Sequence, residues 1–358
     1  MSEIKHGAAS SDEVELIIGN SNANFSGVTS TMLQVLSYQR KMIKLRVMGK
    51  HFLTDPALAI SFWQTALMCR KPLSNGKWRI FHARRVDEMI QGVILKYLFR
   101  AKIKLVFSSA AQRHRSGSTL WLTRQMDGVI AVSNRSASYL VDPPAMVNPH
   151  GVQINDYVPA DDKLAAWQAL GFGGKYGIGI LGRVRKQKGV HLFVEGCIAV
   201  LKQYPDYNAV IVGAISGSNK DFVSQLKTKI EAAGLSERIT FTDELAFEEI
   251  PRIFSALSLV CALSDNEGFG LTVLEAMSSG AAVLATQAGA WEDIIRPGID
   301  GYIVPINDPQ AVIDKMNILL ADPEALLELG RNGRANVEQQ YGVEHEAQRL
   351  LDYFRTLQ

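Results

Sequence analysis

The sequence predicts an α/β protein built as two doubly wound domains. Three observations predict it. Short apolar segments alternate with helical patterns through both halves, which means mainly parallel sheets covered on both faces. A chain of 358 residues suits two domains of ordinary size, each with an ample core. Between residues 148 and 159, Pro149, Gly151 and Pro159 interrupt regular structure and mark a boundary. The expected divisions are residues 1–155, 156–340 and a last helical segment, 341–358.

In the first half, residues 14–18 form a short strand. A Gly-containing loop, 19–27, leads into a helix over 28–40, where Val28, Met32, Val35 and Leu36 recur at helical spacing. A loop of this kind is where an open α/β sheet binds ligands. Further strands are expected at 44–48, 78–81, 103–107, 128–132 and 145–147, and the segment 50–72 is expected to be mostly helical. His82, Ala83, Arg84 and Arg85 follow the third strand and so belong at its carboxyl end, facing a crevice. The polar and basic segment 108–118, with Arg113 and Arg115, follows the next strand and belongs at the same rim.

The second half opens with a short helix over 164–170 and a strand from 176. Gly177, Gly179 and Gly182 match G-x-G-x-x-G. These glycines lie inside the strand instead of the turn after it, and no acidic residue ends the next strand at 208–212. A dinucleotide cofactor is therefore not expected. The following loop carries Arg183, Arg185, Lys186 and Lys188. Four cations between a strand and a helix suit a diphosphate, the plainer alternative being a solubilising loop. Strands at 209–212, 239–241 and 257–263 follow.

The last of these enters Asp265-Asn266-Glu267-Gly268-Phe269-Gly270-Leu271-Thr272, which opens a helix that carries Glu275 and ends near 279. Two carboxylates thus lie eight residues apart. Gly268 and Gly270 allow the backbone to approach a ligand closely. The first amides of the helix are unpaired donors at its positive end, suited to phosphate or sugar oxygens. The bland alternative is a surface helix whose dipole favours acids near its start. Strands at 281–285 and 301–304 complete this half, and from 308 the chain is helical. Asp322-Pro323 starts one helix, Gly342 interrupts the next, and Ala347, Leu350, Leu351 and Phe354 share a face of the last.

Composition narrows the function. Hydrophobic residues make up 47%, as in a globular protein. No apolar run approaches the roughly 20 residues that span a bilayer, and the polar start, 1–12, is not a secretory signal. Cys69, Cys197 and Cys261 show no C-x-x-C spacing and the seven histidines are scattered, so a reducing cytoplasm and no metal site are expected. Charge is uneven. Residues 1–155 hold 20 Lys and Arg against 9 Asp and Glu, a balance of +11; residues 156–358 hold 18 against 27, a balance of −9. The first half is thus expected to meet an anionic partner. Its basic residues are not interleaved with aromatics as a base-stacking surface requires, so nucleic acid is not that partner.

Glu267-x7-Glu275 around Gly-Phe-Gly, with Arg183 and Lys188 upstream and His150-Gly151-Val152 between the halves, resembles the retaining glycosyltransferases of the GT4 type. That resemblance implies the GT-B fold: two Rossmann-like domains facing a central cleft, with the C-terminal helix crossing back to the first. In the first half, Ser26-Gly27-Val28-Thr29-Ser30-Thr31, His82-Ala83-Arg84-Arg85 with Glu88-Met89, and Ser108-Ser109-Ala110-Ala111-Gln112-Arg113 look like the lipopolysaccharide-core mannosyltransferases. These transfer mannose from GDP-mannose to the inner core beside lipid A, usually to Kdo.

The resemblance implies roles. Arg183 and Lys188 would stabilise the leaving diphosphate in place of a metal ion. Backbone amides over Gly268, Phe269, Gly270, Leu271 and Thr272 would hold sugar hydroxyls and phosphate. Glu267 would bind the donor sugar, Glu275 the ribose hydroxyls, and residues 240–245 would help to read the base. Gly27 would let the first-domain loop close over the diphosphate, and His82 would sit near the sugar's C6 hydroxyl. Anomeric configuration would be retained, with the leaving phosphate taking the acceptor proton. Arg84, Arg85, Arg113 and Arg115 are the candidate contacts to a Kdo and lipid A acceptor. Lys96, Arg100, Lys102 and Lys104 are expected to face the anionic cytoplasmic leaflet of the inner membrane. The rivals are a transferase using a UDP-sugar, a nucleotide-sugar epimerase and a non-catalytic binding subunit.

Overall fold

The computed structural model describes residues 13–358, so the expectation about the polar start, 1–12, lies outside the described residues. Seven strands form the first sheet: β1 Leu16–Gly19, β2 Leu45–Met48, β3 Ala59–Ile60, β4 Arg79–Ala83, β5 Ile103–Ser109, β6 Gly128–Ala131 and β7 Met146–Val147. Six form the second: β8 Tyr176–Leu181, β9 Tyr207–Val212, β10 Ile239–Asp243, β11 Leu257–Ala262, β12 Ala282–Thr286 and β13 Gly301–Val304. The spatial orders are β3-β2-β1-β4-β5-β6-β7 and β10-β9-β8-β11-β12-β13. Every pair within them is parallel. The fold is thus two doubly wound sheets, as the sequence predicts.

Winding reverses between β1 and β4 in one sheet and between β8 and β11 in the other. At such a switch point neighbouring loops diverge to opposite faces and leave a crevice at the strand ends. The loops after β1, β4, β8 and β11 are the ones the sequence singles out. Central strands are buried throughout, since helices cover both faces.

One expectation needs correction. The segment 50–72 is not mostly helical. It holds a 3₁₀ turn, Pro56–Leu58, the two-residue edge strand β3 and a seven-residue helix, Phe62–Met68. Pro56 starts the turn, and a capping box between Ser61 and Gln64 starts the helix. Strand β3 is too short to carry an alternating pattern. The G-x-G-x-x-G run, discounted as a cofactor motif, has a packing cause. A Cβ on Gly177 would lie 2.4 Å from the Trp167 ring, and one on Gly179 would lie 2.5 Å from Leu257.

The last helix, Val343–Leu357, leaves the second sheet and seals the first. Val343, Ala347, Leu350, Leu351 and Phe354 pack in one core with Leu16, Ile18, Ile80, Val106 and Ile130. Its start is stitched to the segment between the sheets. Val152 donates to the Tyr341 carbonyl at 2.8 Å, and Val343 donates to the Val152 carbonyl at 3.1 Å.

Gly151 is where this stitching excludes a side chain. A Cβ there would meet the Val343 Cα at 2.4 Å and the Gly342 carbonyl oxygen at 2.6 Å, and backbone cannot swing aside. Gly151→Ala should lower stability by about 2–4 kcal/mol in urea denaturation. Gly27→Ala, whose Cβ would meet nothing within 4 Å, should leave stability unchanged. Equal midpoints for wild type and Gly151→Ala would refute the packing account.

Candidate active site

Three adjoining cavities occupy the cleft between the sheets. The central one, about 320 Å³, takes Ser26, Gly27 and Arg84 from the first sheet's loops and Lys188, Glu267 and the stretch Gly268 to Thr272 from the second. Beside it, a cavity of about 300 Å³ is lined by Arg183, Gly213, Leu245, Thr272, Glu275 and Tyr157. On the other side, a cavity of about 560 Å³ is lined by Arg84, Arg85, Arg113, His114 and Arg115. Thr272 touches the first two and Arg84 touches the first and third, so the three form one trough.

The central cavity owes its chemistry to the strand ends. Lys188 stands on a 3₁₀ turn, Lys186–Lys188, after β8. Gly189 follows in the left-handed region at φ +73°, and its Cβ would lie 2.1 Å from the Leu263 carbonyl oxygen. Only glycine lets the two loops approach so closely. Lys188 pairs with Glu267, which also accepts from Ser264 Oγ at 2.8 Å. An ammonium and a carboxylate therefore face the cavity held against each other.

The helix Leu271–Ser278 begins at Gly270 with no side-chain cap, so its first amides remain available. Gly270 is needed for its own backbone, at φ +88°. Its Cβ would strike the Trp291 indole at 2.3 Å, and that indole N–H donates to the Gly270 carbonyl at 2.9 Å. The Phe269 ring is buried, with its centroid 4.9 Å from that of His150. Gly268 faces the first domain, its carbonyl accepting from Gln112 Nε2 at 3.3 Å.

Glu275 sits one turn further along, in the neighbouring cavity. Burial pushes its carboxyl up to about 7, opposed by the Tyr157 hydroxyl, which donates at 3.3 Å, and by Lys188. Arg183 is exposed at the mouth of the same cavity. The two predicted phosphate-binding cations thus lie in neighbouring chambers, joined through Thr272.

His82 is not where the resemblance placed it. Its side chain is 0% exposed, behind Ser108, whose Oγ lies 2.8 Å from Nε2, and its ring packs on Phe354 of the last helix. It lines none of the three cavities. Burial and the neighbouring Arg84 hold its pKa well below the usual histidine range, which keeps it neutral. The imidazole at the cavity wall is His150 instead. Glu346 holds it from the last helix at 2.8 Å from Nδ1 and also accepts from the Gly151 amide at 2.8 Å. The sequence showed His150 only as part of a boundary motif.

The four basic-cavity arginines divide in two. Arg85 braces the first loop, donating to Ser26 Oγ at 2.9 Å and Thr29 Oγ1 at 2.8 Å. Arg115 donates to Ser109 Oγ at 2.6 Å and stacks over Phe107. Arg113 has no hydrogen-bond or ion-pair partner among the described residues, and Nη1 of Arg84 is buried without one. Buried donors without partners are rare, and this one lies at the junction of two cavities. The cations expected at a membrane are also redistributed. Lys96 and Lys104 pair with Asp127 at 2.6 and 3.7 Å, and Lys102 and Lys104 lie over Trp78. Arg100 alone of the four is exposed.

Among the described residues no three His, Cys, Asp or Glu side chains cluster to hold a metal ion. The trough is lined by cations and uncapped helix amides, with a buried carboxylate at one end and arginines at the other.

Comparison with known proteins agrees with this fold and gives the family. The family model of group 1 glycosyl transferases matches residues 165–336. The chain is 38% identical to the lipopolysaccharide core biosynthesis mannosyltransferase LpcC of Rhizobium leguminosarum bv. viciae, over 96% of this chain and 97% of that one. It is 37% identical to the corresponding enzyme LpsB of Rhizobium meliloti, over 96% and 98%. A solved C-terminal domain of a group 1 protein, LpcC from Francisella tularensis, is 41% identical and covers 54% of this chain and 99% of that one, with a TM-score of 0.52. A glycosyltransferase from Rickettsia africae shares the whole fold at a TM-score of 0.79 and 17% identity, covering 97% and 99%.

The raised Glu275 pKa has a consequence for stability. The unfolded chain ionises this carboxyl near 4.5 and the folded chain near 7. The folded state therefore holds the proton more tightly, and this contribution to stability fades as pH rises from about 4.5 to about 7. Glu275→Gln should match wild type near pH 4.5 and exceed it by on the order of 2 kcal/mol at pH 8. Thermal melts across that range check it, and parallel curves would contradict it.

Proposed function

The chain belongs to the group 1 glycosyltransferases, and on that premise we propose that it moves mannose from GDP-mannose onto the Kdo-containing inner core of lipopolysaccharide. One observation carries the reading of the site. Lys188, Glu267 and the free amides of the helix at Gly270 meet in a single cavity between the sheets. The near full-length similarity to two lipopolysaccharide core biosynthesis mannosyltransferases supports mannose as the sugar and the lipopolysaccharide core as the acceptor class.

In this reading the nucleoside lies in the cavity of Glu275 and Tyr157. Ionised Glu275 accepts from the ribose hydroxyls, and the diphosphate crosses Thr272 towards Lys188. The bond between the anomeric carbon and the β-phosphate oxygen breaks. Negative charge grows on that oxygen, where Lys188, Arg183 and the helix amides stabilise it. One such donor is worth on the order of 3 kcal/mol of barrier. Arrival of the diphosphate gives Lys188 a second anion, and Glu267 turns to the sugar hydroxyls. The acceptor hydroxyl attacks on the face the phosphate leaves, the phosphate oxygen takes its proton, and configuration is retained. Gly27 borders the phosphate path with no Cβ to obstruct it.

Arg84 and Arg113 take the acceptor's carboxylate or phosphates, while Arg85 and Arg115 hold the walls. The Arg84 guanidinium with a free buried Nη1 suits a planar carboxylate. We place the enzyme at the cytoplasmic face of the inner membrane, in keeping with three buried, unpaired cysteines. No helix of the described residues is long and apolar enough to cross a bilayer.

Thermal shift and donor hydrolysis with GDP-mannose, UDP-glucose, UDP-galactose and UDP-GlcNAc, all with EDTA, test the donor. GDP-mannose alone should stabilise the protein, and Glu275→Ala should abolish the shift. A response to a UDP-sugar alone would overturn the donor assignment, and no response to any would favour a binding subunit. Lys188→Ala should lower kcat by roughly 10²-fold or more with the fold intact; unchanged turnover would remove Lys188 from the chemistry. Arg84→Lys should raise the acceptor KM about tenfold and leave the donor KM unchanged. Equal changes in both would show that Arg84 does not read the acceptor.

A further inference from the structure

Outside the cleft, the first domain carries an exposed apolar stripe that the described residues do not cover. It follows the helix Val86–Val93 and the π turn Ile94–Leu98 that prolongs it. Val86, Ile90, Ile94 and Leu98 recur every fourth residue and are all exposed. At the far end, Trp63 and Leu67 of the helix Phe62–Met68 join it. Trp63 is 64% exposed, Leu67 68% and Leu98 73%. These three line a groove of about 400 Å³ together with Phe99, Arg70 and Arg100.

The groove is built. Trp63 packs edge-on against Phe99 with ring centroids 5.4 Å apart, and Phe62 completes the cluster. The indole is therefore fixed in an outward position. Arg100 is held at φ +54°, a left-handed conformation that costs a non-glycine residue free energy. It is exposed beside Leu98, whose neighbours offer it no carboxylate among the described residues.

We propose that this stripe is the surface by which the enzyme docks on an anionic lipid monolayer. Three features select that occupant. Trp63, Leu67 and Leu98 flanked by Arg70, Lys71 and Arg100 combine apolar depth with cations at the rim, the pattern that inserts into a headgroup boundary. The half of the chain that bears it has a balance of +11. The near end of the stripe, Val86, also lines the basic cavity of Arg84 and Arg113. A monolayer against the stripe lies at the mouth of that cavity, where a lipid-linked acceptor can enter without leaving its membrane. This rests on the proposed glycolipid acceptor. It replaces Lys96, Lys102 and Lys104 as the docking cations, since those three are held by Asp127 and Trp78.

The test is flotation of the full-length protein, without donor or acceptor, on phosphatidylethanolamine vesicles with and without 30% phosphatidylglycerol. Trp63→Ser/Leu67→Ser/Leu98→Ser and Arg70→Ala/Arg100→Ala are compared with wild type, and the single variant Trp63→Ser guards against loss of folding. Melting temperature and the GDP-mannose shift are measured alongside. Wild type should float with the anionic vesicles only. The apolar variant should lose tenfold or more of that binding, and the arginine variant severalfold, each with the melt and donor shift of wild type. Equal flotation of wild type and the apolar variant would overturn the proposal. So would a wild-type dimer that the apolar variant dissociates with no vesicle binding by either, since the stripe would then join two copies. If GDP-mannose gives no shift yet flotation behaves as expected, the donor reading falls and the docking surface stands.

Discussion

The Glu346 carboxylate is the contact on which the cleft depends. It sits on the helix that leaves the second sheet and closes the core of the first. One oxygen holds His150 and the other holds the Gly151 amide. Through His150 it supports the Phe269 ring, and Phe269 lies within the stretch from Glu267 to Thr272. One buried, fully engaged carboxylate thus ties the crossing helix, the segment between the sheets and the floor of the central cavity. Its burial is tolerable because both oxygens accept hydrogen bonds.

The remaining charges are arranged by the same rule, with openings where a ligand is due. Arg85 has two hydroxyl partners and the Glu88 carboxylate at 3.5 Å, Arg115 has a hydroxyl partner, and Asp300 is neutralised by Arg296. Among the described residues, Lys188 and Glu267 have only each other and one serine as partners. A pair of this kind keeps both charges compensated when the cavity is empty, yet lets either turn to a substrate of the opposite demand. Arg84 is the exception. Burial works against its charge, Glu346 and Glu88 work for it, and one nitrogen still lacks a partner. A protein retains such a group where an incoming anion completes it.

Both sheets place their active loops by topology. Gly27, Arg84, Lys188 and Glu267 follow four strands far apart in sequence, and each of those strands flanks a switch point. The basic cavity and the apolar stripe lie together on the first domain, where the excess of cations lies. In the proposed reading, donor chemistry is drawn mainly from one sheet and acceptor handling from the other.

The sequence by itself determined the element order, because strand and helix periods are local properties of the side chains. It also determined the Glu267 to Glu275 helix start and the loop cations, since helix geometry and glycine spacing fix what lies on a helix end. Tertiary structure alone decided which of these groups face a ligand. His82 and Arg84 are two residues apart on one strand end, yet one is sealed behind Ser108 and the other opens on two cavities. His150 and Glu346 are 196 residues apart and meet only because the last helix crosses back. Lys96, Lys102 and Lys104 look like free cations in the chain, and Asp127 and Trp78 claim them in the fold. Side-chain type and spacing are written locally, whereas burial and partnership depend on segments that the sequence keeps apart.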